Sequence, residues 1–132
     1  MSAYLKEKEF CKKWLPLLER IINNEILKNR CKAYNAYISS KENNKLEKEL
    51  EFSTFLEEGY ESGIVIKNYQ EVMKEKELIY QPTDEFINSL SELEIIACIA
   101  WLFRCDHWDN GFLISEVFVN GTLLKYFQAL LK

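Results

Sequence analysis

Acid–base chemistry in this chain would have to be sought in one short run, RCDHWDNG, which places Arg104, Asp106, His107 and Asp109 together and contains the only histidine. An imidazole beside carboxylates is the elementary kit of a general base, and a guanidinium can clamp an anionic substrate. The spacing works against both. On a continuing helix Cys105 and His107 point to nearly opposite sides, so no thiolate–imidazole pair forms locally. One imidazole among scattered carboxylates, with no Cys-x-x-Cys pair, lacks the ligand spacing of a metal site, so no metal, cofactor or catalytic residue is assigned. The stronger reading is structural. Arg104 near a helix C-terminus bonds the last carbonyls, pairs with Asp106 or Asp109, and lies against Trp108 at i+4, so that the run builds a helix junction. An enzyme using His107 as base and Arg104 as anion clamp is kept as an alternative.

A second candidate is a binding surface. Residues 1 to 50 carry eleven Lys/Arg against seven Glu, net plus four, whereas residues 51 to 94 carry three Lys against eleven acids, net minus eight. Within the acidic stretch Glu57, Glu58 and Glu61 surround Tyr60, a cluster able to steer a cationic protein and supply an aromatic anchor. The expected partner is therefore a basic protein. Nucleic acid is disfavoured, because Lys28, Arg30 and Lys32 are the one local basic group and three charges make a short phosphate track.

Arg104-Cys105-Asp106-His107-Trp108 followed by Gly111 resembles the signature Arg-x-acidic-x-aromatic-x-x-Gly of a family of short, mainly helical bacterial and phage proteins of unknown function. The resemblance runs from about Ser91 to Lys132, with a weaker echo in Tyr60 and Tyr69. It implies a small, mainly helical cytoplasmic protein and carries no reaction or cofactor with it. This chain departs from the pattern at His107, where the family often has arginine.

The elements that must position these residues read as helices. Four glycines and two prolines in 132 residues, with 48% apolar content, fit one compact all-α domain of about six helices. Phe10, Trp14, Leu17, Leu18, Ile21, Ile22 and Ile26 recur at helical spacing over residues 4 to 38, with a new helix starting at Pro16. The polar stretch Ser39 to Asn44 reads as a loop, the best site for an insertion. Leu46, Leu50, Phe55 and Leu56 predict one helix of about 13 residues ending near Gly59 or Gly63. Another spans Asn68 to Glu77. Thr83 or Asp84 caps a short helix through Leu90. Ser91 and Glu94 form a capping box that opens a central apolar helix, 92–105, whose core Ile95 to Phe103 has no polar residue. The paired pattern Leu113-Ile114, Ser115-Glu116, Val117-Phe118 is helical rather than alternating, and Asn120-Gly121 turns the chain into a last helix.

The charged amino terminus does not resemble a secretory signal, and the nine-residue apolar run is far short of the roughly 20 residues of a membrane span. Cys11, Cys31, Cys98 and Cys105 are accordingly expected as reduced thiols in a cytoplasmic protein. These features together favour a small acidic protein-binding module of the inhibitor or toxin-immunity type. A nucleic-acid accessory role is the further alternative.

Overall fold

The structure, a computed structural model, describes residues 3–38 and 40–132. Among these it is all-helical, with α1 at Leu5–Asn23, α2 at Glu25–Lys32, α3 at Lys41–Leu50, α4 at Phe52–Ser62, α5 at Tyr69–Val72, α6 at Asp84–Asn88, α7 at Glu92–Trp108, a π-helical turn at Leu113–Val117, and α8 at Thr122–Leu131. That makes nine helical segments instead of about six. The difference has local causes.

Helix α1 runs unbroken through Pro16, so no new helix begins there. Phe10, Cys11, Trp14, Leu18 and Ile21 are buried on both sides of the proline, and their packing against α4 and α8 outweighs the roughly 3 kcal/mol that an interior proline costs. The break comes at Asn24, whose side chain accepts from the Leu27 amide at 3.0 Å and caps α2. That break shifts the helical phase. Leu27 turns inward at 3% exposure, and Ile26, expected on the buried stripe, is left 75% exposed.

The single helix expected over Leu46 to Glu58 is two helices that meet at Glu51, a left-handed residue with φ 53°. The five-position spacing from Leu50 to Phe55 overshoots one helical turn, and resetting the phase at Glu51 lets Leu50, Phe52 and Phe55 all face the core. Of the stretch Ser39 to Asn44 expected as a loop, Lys41 to Asn44 form the first turn of α3. Ser40 caps α3 by accepting from the Asn43 amide at 3.0 Å, and the Asn43 side chain donates to the carbonyls of Asn35 and Ile38. Ser39 lies outside the described residues.

The helix expected from Asn68 to Glu77 is confined to Tyr69–Val72. Beyond it the chain turns so that Met73 is buried and the Lys76 ammonium reaches Glu94 and the Ser89 carbonyl, each at 2.9 Å. Thr83 caps α6 by accepting from the Phe86 amide at 3.1 Å. The capping box at Ser91 and Glu94 is present, with the Ser91 amide donating to Glu94 at 2.8 Å and the Glu94 amide to Ser91 at 3.1 Å.

Helix α7 continues to Trp108, three residues past the expected end, and packs against α5, α8 and the π-turn. Ile95 to Ala100, Leu102 and Phe103 are buried along it. Phe55 stands between its Phe103 and four other rings, those of Phe10, Trp14, Phe52 and Phe118. Gly59 allows this approach, because a Cβ there would sit 2.7 Å from the Phe103 ring and 3.2 Å from that of Phe10. In the π-turn the Phe118 amide donates to the Leu113 carbonyl at 2.8 Å, and Leu113, Ile114, Val117 and Phe118 are all buried.

All four cysteines are free thiols. Burial, assisted by Glu7, pushes Cys11 up to about 12, and burial pushes Cys31 and Cys98 up to about 11. These are thiols held away from the reactive thiolate form.

Candidate functional site

The end of α7 divides the RCDHWDNG run among three environments. Asp106 points inward at 7% exposure, and its carboxylate accepts the Leu113 amide at 2.9 Å and bonds the Gly111 backbone as well. It ties the end of α7 to the π-turn. Gly111, at φ 95°, lets the chain reverse against Tyr34. Burial, followed by the neighbouring Glu47 carboxylate, raises the Tyr34 phenol to about 12.

His107, Trp108 and Asp109 are exposed, Trp108 at 77%. The His107 and Trp108 rings meet edge to face at 5.3 Å. His107 forms no hydrogen bond with a cysteine or carboxylate among the described residues, and no group of three His, Cys, Asp or Glu side chains there is arranged to hold a metal.

Arg104 does not make the expected pair with Asp106 or Asp109, nor does it lie on Trp108. Asp106 comes two residues later, close to half a helical turn away, and faces the core, so the two charges are on opposite sides of α7. Arg104 instead lines a cavity of about 420 Å³ with Tyr60, Val65, Ile66, Lys67, Tyr69 and Gln70. The linear spacing of positions 60, 67 to 70 and 104 gives no sign that they meet. Lys67 and Gln70 carry no motif that would single them out in the sequence, and Tyr60 and Tyr69 are linked there only by the weak echo of the family resemblance.

The acidic cluster on α4 is also split. Glu58 accepts from Lys13 Nζ at 2.7 Å and Trp14 Nε1 at 2.9 Å, bonds that hold its carboxyl below the usual carboxylate range. It belongs to the α1–α4 contact. Glu57 and Glu61 are exposed and have no ion pair among the described residues. Tyr60 beside them is 45% exposed, with the edge of its ring against Phe103 at 6.1 Å. In the basic group Arg30 is engaged by Glu49 at 2.6 Å. A larger cavity, about 490 Å³ between α6 and α8, has Lys125 of its lining near Asp84 at 3.9 Å.

Asp106 yields a test of this junction. Asp106→Ala removes the acceptor for two backbone amides and is expected to cost about 1–3 kcal/mol in chemical denaturation. Asp106→Asn keeps an acceptor oxygen and discards the desolvated charge. Burial raises the Asp106 pKa above its unfolded value, despite the bonds from Leu113 and Gly111 that act the other way. Its contribution is therefore fully present below the unfolded pKa and lost as pH rises through the folded one. The stability of the native protein relative to Asp106→Asn should fall as pH rises above the ordinary aspartate value of 3.8. A relative stability that grows with pH would contradict this assignment.

No helix is long and apolar enough to cross a membrane among the described residues. No family model, no curated protein and no solved structure matches this chain.

Proposed function

We propose that this protein is a small protein-binding module that neutralises a basic partner, in the manner of an inhibitor or immunity protein, through the outer face of α4. The observation that carries this reading is the arrangement of Glu57, Tyr60 and Glu61. Residues three and four apart share a helix face, so Tyr60 and Glu61 lie on the side of Glu57. Both carboxylates are exposed without an intramolecular cation among the described residues, and the tyrosine ring is steadied from below by Phe103. A half-exposed, pre-positioned aromatic costs little entropy to bury in an interface. Unpaired carboxylates beside it accelerate encounter with a cationic surface. Glu58 supports the patch from within by fixing α4 to α1. In this reading α7 is the central scaffold and the cell compartment is the cytoplasm.

The test is capture of the tagged chain from its source cell, with the co-purifying protein identified by mass spectrometry. A stoichiometric basic partner is the expected result. With that partner in hand, the double variant Glu57→Lys, Glu61→Lys should slow association about tenfold or more at low ionic strength, and the difference should shrink as salt is raised. Both positions are exposed, so its melting temperature should stay near that of the parent. An association rate unchanged at low salt would remove this face from consideration.

A further inference from the structure

We infer that the groove between α4, α5 and Arg104 of α7 is a binding site for a small organic oxyanion, a carboxylate or phosphate carried on a flat apolar body. It goes beyond the protein-binding reading and stands without it, although Tyr60 borders both surfaces.

The first ground is the set of unanswered donors. Among the described residues, the Arg104 guanidinium, the Lys67 ammonium, the Tyr60 and Tyr69 hydroxyls and the Gln70 amide have no hydrogen-bond or ion-pair partner, and all line the same cavity. Several comparable groups elsewhere are engaged. Arg30 reaches Glu49 at 2.6 Å, Lys76 reaches Glu94 at 2.9 Å, the Tyr80 hydroxyl donates to Glu116 at 3.0 Å, and that of Tyr126 to the Ile79 carbonyl at 3.0 Å. Arg104 is also only partly exposed, held at the wall of the cavity.

The second ground is charge. The chain holds more acids than bases, 21 against 17, yet no carboxylate lines this cavity and two cations do. Arginine presents a planar fork that matches a carboxylate or phosphate with two parallel bonds, and lysine adds a point charge. A group made only of acceptors is the complement of such a lining.

The third ground is size and wall. About 420 Å³ falls within the roughly 300–1,000 Å³ typical of small-molecule sites. Val65, Ile66 and the faces of two tyrosines supply the apolar surface that a bare inorganic ion would not use.

The experiment titrates the isotopically labelled full chain with phenyl phosphate, benzoate, inorganic phosphate and benzylamine, following backbone amide shifts. Saturable binding of phenyl phosphate or benzoate is expected, with the largest shifts at residues 60, 65–70 and 104, and the tighter of the two identifies the headgroup. Inorganic phosphate should bind more weakly than phenyl phosphate, and benzylamine should not bind. Arg104→Gln should weaken the better aromatic anion about tenfold and Lys67→Gln about threefold. Both should melt near the parent, because neither residue has an internal partner to lose among the described residues. Should Arg104→Gln fail to fold, Lys67→Gln, at an exposed position, decides the matter alone. No saturable binding of either aromatic anion up to about 10 mM overturns the proposal. So does unchanged affinity in the folded variants, benzylamine binding as well as the anions, or inorganic phosphate matching phenyl phosphate.

Discussion

Phe55→Ala is expected to lower the stability of the protein by about 3–5 kcal/mol and to bring the melting temperature down by about 10–20 °C. The residue is fully buried, and its ring centroid lies 5.5 Å from that of Phe10, 5.3 Å from Trp14, 6.2 Å from Phe52, 5.4 Å from Phe103 and 5.4 Å from Phe118. These rings come from α1, α4, α7 and the segment at the end of the π-turn. Truncation therefore loses the transfer energy of the ring and leaves a void bounded by several elements, none of which can move in without leaving another contact. Phe55→Leu keeps most of the apolar volume and should recover more than half of the loss. Guanidinium denaturation of the three proteins is sufficient. A loss below about 1 kcal/mol for the alanine variant would show that the cluster repacks freely.

The second large effect belongs to Gly111. An L-residue there would adopt φ 95°, and its Cβ would stand 3.1 Å from the Tyr34 ring and 3.3 Å from the Ala36 Cβ. Conformational strain of about 1–2 kcal/mol and overpacking of about 1–3 kcal/mol combine to an expected cost of about 2–4 kcal/mol for Gly111→Ala. Gly63 separates the two contributions. It also has a positive φ, 86°, but its nearest neighbour to a Cβ is Glu7 Oε2 at 3.7 Å, an ordinary contact. Gly63→Ala should thus carry the conformational part alone. Equal losses in the two variants would mean that Tyr34 and Ala36 yield without cost.

How much of the fold is legible in the residues depends on the range of the physics involved. The capping box at Ser91, the Thr83 cap and the helical pairing of Leu113-Ile114 with Val117-Phe118 depend on groups within a few positions of one another, and each is visible in the chain. The breaks at Asn24 and Glu51 are set by how many apolar residues must reach one core at once, which no single window of sequence contains. Pro16 shows the converse, a strong local signal overridden by packing on both sides. The candidate site divides along the same line. Asp106 and Gly111 act on their own neighbourhood, yet spacing points to an Arg104 pair for Asp106 and not to the Leu113 and Gly111 amides that it holds. The setting of Arg104 depends on α5 and on the chain after Gly63, and the local pairing that spacing allowed is not made. Likewise Glu58 looks equivalent to Glu57 and Glu61 until Lys13 and Trp14, more than forty residues earlier, are brought to it.

The π-turn at Leu113–Val117 bears on how the length of this chain can change. A bulge of this kind holds one residue more than an ordinary turn between the same two ends, and the added residue widens the turn without redirecting the segment after it. Deleting Ser115 would give up its own bonds to the Gly111 carbonyl, both at 2.8 Å, and bring Val117 and Phe118 to three positions after Leu113 and Ile114, a spacing that still keeps both pairs on one helix face. By contrast, Asn43, in the first turn of α3, donates to Asn35 and Ile38 across the connection that precedes that helix, so a length change there breaks bonds that tie two segments together. Homologous chains that differ by a single residue are therefore expected to differ inside this buried turn, with α8 undisturbed, sooner than in the stretch whose polarity advertises tolerance.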